Sequence, residues 1–92
     1  MRLIYYKKEA QDGIVSTHFV NIDRVESFTI HPKGDVTELI AFVGNNVHVL
    51  NDKKKIINVS IVISRLLEIG DRAYVDVDKF IDESNNIAKM RK

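Results

Sequence analysis

The chain has 92 residues, 45% hydrophobic and 29% charged, with no cysteine and a formal net charge of +1. That length makes one domain with a modest core, and the composition is too apolar and too balanced in charge for disorder. The missing cysteines exclude disulfides, thiol nucleophiles and thiolate metal sites, and the near-neutral charge excludes a global field toward nucleic acid or an anionic membrane.

Residues 3–6 (Leu-Ile-Tyr-Tyr) are strand formers that end at Lys7 and Lys8, so they predict a first strand. An apolar run of four residues is too short for a signal peptide or for a membrane span, which takes about 20 residues. A soluble, cytoplasmic chain is expected. Asp12-Gly13 is a turn pair, because glycine tolerates positive φ, and residues 14–20 predict a second strand. Asn21 and Asp23 then interrupt the period of two. Each can bond its own backbone in a tight turn, while Ile22 and Val25 return to the core.

Residues 25–31 resume as a strand, and Pro32-Lys33-Gly34-Asp35 predicts a turn in which Pro presets φ and Gly supplies the reversal. Residues 36–43 are apolar on both faces in their second half, which suits a central strand. Gly44-Asn45-Asn46 predicts a hairpin turn, and residues 47–50 a fifth strand. Short connections between neighbours imply an antiparallel meander.

Residues 56–70 carry two signals. Ile57, Val59, Ile61 and Ile63 alternate with polar residues, as in a strand, while Ser60, Ser64 and Glu68 recur every four residues, as on a helix. Asn58 is a good N-cap and Gly70 stands where a C-terminal cap belongs, so a helix is the expectation. A short strand follows at residues 73–77. Asp78 can cap a second helix running through Met90, with Phe80, Ser84, Ile87 and Ala88 on one side and Lys89 favourably placed near its C-terminus.

The residues that could carry chemistry are few. His18, His31 and His48 fall on separate predicted strands and could converge, but nothing in their spacing builds a metal site, and scattered surface histidines are the expectation. The acidic run from Asp76 fails the calcium-loop pattern, since Phe80 and Ile81 stand where an oxygen ligand and a glycine belong. Ser16, Ser27, Ser60 and Ser64 lack a nucleophile-elbow context, and no phosphate-binding glycine loop exists. Neither a catalytic residue nor a cofactor is expected.

Lys53, Lys54 and Lys55 form a connection that must cross the surface. Phosphate binding enlists many bases on one face, often with aromatics. Here Asp52 offsets the charge and no Tyr or Trp is near, so a solvated turn is expected. The alternative is a nucleic-acid contact made by Lys53, Lys54, Lys55, Lys89, Arg91 and Lys92. More telling is the apolar surplus of residues 56–69. It either completes the core or forms a partner surface, with Ile57, Ile61, Ile63 and Leu66 as the candidate contacts and a second copy as the expected partner.

Residues 13–30 (GIVSTHFVNIDRVESFTI), then residues 41–50 (AFVGNNVHVL) and a short helix, resemble in layout the flagellar FlbD family and small strand-rich proteins of Gram-positive bacteria and their prophages. The resemblance implies an interaction or assembly factor without a catalytic site. The chain departs from that layout in its first strand and in the tail from Asp71 onward, so no flagellar role and no functional residue is carried over. The resulting expectation is an α+β domain, a four- to six-stranded, mainly antiparallel meander sheet with two C-terminal helices packed on it. Its expected role is a self-associating cytosolic interaction module, a homodimer without membrane contact.

Overall fold

The computed structural model describes residues 1–71 and 74–90. Its elements run β1 (Leu3–Glu9), β2 (Val15–Asn21), a 3₁₀ turn (Ile22–Arg24), β3 (Ser27–Lys33), β4 (Val36–Val43), β5 (Asn46–Asn51), α1 (Val59–Leu67), β6 (Tyr74–Asp76) and α2 (Val77–Met90). The fold is α+β, as expected, but the strands do not form one meander. They make two three-stranded sheets, β2-β1-β6 and β3-β4-β5.

The division has a local cause. At the end of β2 the Asn21 side chain accepts the Asp23 N–H at 3.0 Å, and the Ile22 N–H bonds the Arg2 carbonyl. The chain therefore turns through Ile22–Arg24, burying Ile22, before β3 begins in a second sheet. β6 adds to the far edge of β1 in parallel, pairing Leu3 with Tyr74 and Tyr5 with Asp76. A parallel pair needs a crossover, here supplied by everything between β1 and β6, so hairpin logic along the sequence could not find it.

The tight hairpins follow glycine. Gly34 and Gly44, at φ +59° and +58°, open the turns before β4 and β5. Glycine in the first central position is the arrangement that matches strand twist. Pro32, expected inside the first of these turns, lies instead in β3 opposite Thr37. β3 is an edge strand, where the missing N–H is tolerated. As expected, β4 is the central strand of its sheet.

α1 starts where its cap demands, with the Asn58 side chain accepting the Ile61 N–H at 3.2 Å. Its C-cap is Glu68, in right-handed helical conformation. Gly70 is not among the positive-φ glycines, so the left-handed cap expected there does not form. The last strand is shorter than expected, because Val77 already begins α2, and Ala73 lies outside the described residues. The Asp76 carboxylate accepts the Asp78 N–H at 3.0 Å, taking the capping role expected of Asp78.

Between the sheets and helices lies one core. Ile4 and Val20 from the first sheet, Leu39, Ala41 and Leu50 from the second, Val62 and Leu66 of α1, and Val77 and Ile81 of α2 are all buried in it. Arg65 fastens α1 to α2, donating to Ser84 Oγ at 2.7 Å and to the Phe80 carbonyl at 3.3 Å, with its guanidinium 4.6 Å from the centre of the Phe80 ring.

Candidate functional site

The lysine turn is anchored from below. Asn51, at the end of β5, is 4% exposed. Its amide donates to the carbonyls of Thr37 at 2.6 Å and Lys54 at 2.8 Å, and its oxygen accepts the Lys54 N–H at 3.2 Å. Thr37 in turn donates its N–H to the Lys54 carbonyl and accepts the Ile56 N–H on its hydroxyl. Beyond the end of β5, the Asn51 side chain and the Lys54 peptide therefore continue the ladder along β4. The turn is tied into the sheet.

Lys54 also forms an ion pair with Asp82 of α2 at 2.8 Å, while Lys53 and Lys55 are exposed. Of the other candidate phosphate contacts, Lys89 is exposed on the last turn of α2, and Arg91 and Lys92 lie outside the described residues. The hydrogen bond to Asp82 raises the Lys54 pKa above its ordinary 10.5, with the charges of Asp82, Asp78 and Asp76 adding to it and burial opposing. Burial alone raises the Tyr6 phenol above its ordinary 10.0. Both groups hold their protons more tightly folded than unfolded. Their stabilisation is complete below the unfolded values and is lost as pH rises through the folded ones. The melting temperature should thus fall above about pH 10, and Lys54→Met and Tyr6→Phe should each flatten part of that fall.

Two of the three histidines contact the same tyrosine. The Tyr6 ring stacks on His18 with centroids 5.1 Å apart, and its hydroxyl bonds His48 Nδ1 at 3.0 Å. His18 Nε2 is 2.8 Å from Ser16 Oγ. His31 stands apart, exposed on β3. Among the described residues, no three His, Asp or Glu side chains are grouped to hold a metal ion. The Tyr6–His48 bond instead joins β1 to β5 across the two sheets.

Alternation along β1 places Ile4 and Tyr6 inward and Leu3 and Tyr5 on the opposite face. That outer face is aromatic. Tyr5 lies 5.7 Å from Phe19 between ring centres, and Phe19 meets Tyr74 edge-on at 6.5 Å. Phe19 is 55% exposed and Tyr74 71%, far too much for either to serve as core. No known protein-family model matches the chain, and no curated protein or solved structure shows significant similarity to it. The surfaces must speak for themselves.

The apolar residues expected to meet a partner divide in two. Ile61 and Leu66 are buried, at 8% and 2% exposure, and so belong to the chain's own core. Ile63 is half-buried against that core, and Ile57 is exposed, as is Leu67. The aromatic row of Tyr5, Phe19 and Tyr74 was not singled out from the sequence. Its signal was nevertheless present, since residues 3–6 are apolar at every position and a strand of that kind must present apolar groups on both faces.

Two grooves flank the first sheet. One, of about 570 Å³, wraps the edge of β6 between Tyr5, Tyr74, Phe80 and the charged Glu68, Lys79 and Glu83. The other, of about 280 Å³, lies between residues 6–9 of β1 and Val47, Val49, Asp52 and Lys53 at β5.

Proposed function

We propose that this chain is a small cytosolic interaction module that associates with a second copy of itself through the outer face of the β2-β1-β6 sheet. The observation that carries the reading is the aromatic row in which exposed Phe19 and Tyr74 flank the half-buried Tyr5, centred on the phenylalanine. Aromatic side chains concentrate at the cores of protein interfaces while charges are depleted there. The centre of this face fits that pattern in Leu3, Tyr5, Phe19 and Tyr74, with the Asp76 carboxylate at its border beside Tyr5. A two-fold dimer needs one self-complementary patch, and rings already tilted and edge-on can interlock with their copies. β2 leaves a free strand edge beside the same face, which such a dimer would cover.

Light scattering on a sizing column at micromolar concentration should give a mass near twice 10.6 kDa. Phe19→Asp, which places a charge in the centre of the patch but not in the core, should return the mass to that of one chain with the fold intact. A wild-type mass near 10.6 kDa would end the reading.

Nucleic acid is the rival reading, and it has the exposed Lys53 and Lys55 in its favour. Against it, Lys54 is committed to Asp82, and Asp76, Glu68 and Glu83 line the groove beside the exposed tyrosine. Base stacking on an aromatic platform works together with a positively charged track for the backbone. Here the aromatics and the lysine turn lie on different elements, with carboxylates around the aromatics.

A further inference from the structure

Among the described residues, every open strand edge is blunted except that of β2. β3 carries Pro32 and Lys33, and β6 is three residues long and runs straight into α2. The stretch of β1 beyond β6 carries Lys7, Lys8 and Glu9, and the Tyr6–His48 bond fills the space beside β5. Charge, proline, shortness and cover are the devices that keep an edge from pairing with another chain. β2 has none of them. Its seven residues, Val15–Asn21, include no Lys, Arg, Asp, Glu or Pro, and its register against β1 runs without a bulge. On it and beside it, Ile14, Val15 and Phe19 are exposed at 66%, 54% and 55%.

Which backbone groups face that edge follows from the two ends of the β1–β2 ladder. The Ile22 N–H donates to the Arg2 carbonyl and the Ala10 N–H to the Ile14 carbonyl, in each case between residues directly opposite in the continued register. Bonded and non-bonded pairs alternate along an antiparallel ladder. Ser16, His18 and Val20 therefore point their N–H and C=O groups at β1, and Val15, Thr17, Phe19 and Asn21 point theirs outward. Among the described residues, no backbone bond outside the ladders engages residues 15–21.

We propose that β2 pairs antiparallel with β2 of a second copy about a two-fold axis at His18, joining the β2-β1-β6 sheets of the two chains into one. This rests on the self-association proposed above and gives it a symmetry and a register. A two-fold contact is self-complementary, and a strand pairing with its own copy overlaps in full only when its middle residue stands at the axis. Thr17 then bonds Phe19 of the second copy and Val15 bonds Asn21, making about eight backbone bonds in all. Phe19 and its copy become diagonal neighbours on the outer face, about 7–8 Å apart and within aromatic reach, so the two aromatic rows merge. The charges select the same register. It carries Asp12 of each chain toward Arg24 of the other, and both are exposed and outside the ion pairs among the described residues. The Asp12 carboxylate is held at that end of the strand by the Ile14 N–H. An axis at Phe19 would shorten the ladder and bring Asp12 toward Glu26 instead.

The chain has no cysteine, so a single introduced thiol reports on the axis alone. Opposed residues of a non-bonded pair have Cα atoms about 4.5 Å apart, within the range that a disulfide accepts. His18→Cys should therefore give a covalent dimer under mild oxidant. Ser16→Cys, whose copies would stand about 13 Å apart along the strands, should not. In the wild-type dimer the outward amides of Thr17 and Phe19 should exchange slowly with solvent and lose that protection on dilution to monomer. Those of His18 and Val20, held by β1, should stay protected at both concentrations. Thr17→Pro removes an outward N–H, which an edge strand tolerates, and should weaken the dimer by about tenfold or more. A wild-type mass of one chain would end this pairing together with the reading it rests on. A stable wild-type dimer with fast exchange at Thr17 and Phe19, a Thr17→Pro dimer as tight as wild type, or crosslinking no faster at His18→Cys than at Ser16→Cys would overturn the edge pairing alone. The two aromatic faces would then meet by stacking. Should Thr17→Pro fail to fold, the wild-type exchange pattern and the His18→Cys crosslink still decide.

Discussion

Asn51→Ala should lower stability by about 2–4 kcal/mol through buried groups left without partners. The asparagine is 4% exposed and makes three hydrogen bonds, two donated and one accepted. Without it the Thr37 carbonyl loses the amide that reaches it at 2.6 Å, and the Lys54 N–H loses its acceptor. Each stranded buried group costs about 1–3 kcal/mol. The Lys54 carbonyl retains the Thr37 N–H, which is why the loss stops short of three full penalties. In a domain of this size the melting temperature should fall by about 8–32 °C, at about 4–8 °C per kcal/mol. Asn51→Asp keeps the volume but turns the donor into an acceptor facing two carbonyls, so it should cost at least as much as alanine. Thermal unfolding followed by circular dichroism decides the matter. A melting point within a few degrees of wild type for both variants would mean that solvent can replace the network and that the lysine turn is loosely held.

The second large effect lies in α1, where adjacent leucines should behave oppositely. Leu66 is 2% exposed within the core, and Leu67 is 62% exposed. Leu66→Ala should cost about 2–5 kcal/mol, the lost transfer energy plus a cavity among Ile4, Val62 and Ile81 of the same cluster. Leu67→Gln keeps a good helix former and should change stability by no more than about 0.5 kcal/mol. It should also leave the solution mass unchanged if the dimer uses the aromatic face. Denaturant unfolding of the two variants, with their masses by light scattering, gives both answers. A monomeric Leu67→Gln with wild-type stability would move the dimer contact back to α1.

Helix start and strand sequence were legible along the chain because local physics governs them. Asn58 caps α1 since its side chain reaches the N–H of Ile61 three residues on, and Gly34 and Gly44 open hairpins because they alone accept positive φ there. The surplus of apolar residues at 56–69 was legible as a surplus, to be divided between core and a partner surface. Its division into core and surface was not legible, because a residue such as Leu66 is buried in a cluster with residues of α2 and both sheets rather than by its own neighbours in sequence.

By itself the sequence determined an α+β chain without thiol chemistry, with four to six strands, two helices and short antiparallel hairpins, since these depend on residue type and on contacts a few positions apart. Only the tertiary structure decided that there are two sheets. The parallel pairing of β6 with β1 joins residues about seventy positions apart, and no local pattern encodes such a distance. The same pairing, ended early by α2, leaves the second half of β1 unaccompanied and opens a groove toward β5. Likewise Tyr5 and Tyr6 are neighbours in sequence and both half-buried, yet one meets Phe19 on the outer face and the other bonds His48 across to the second sheet. Which tyrosine went where was settled by which face of the sheet the helices came to cover.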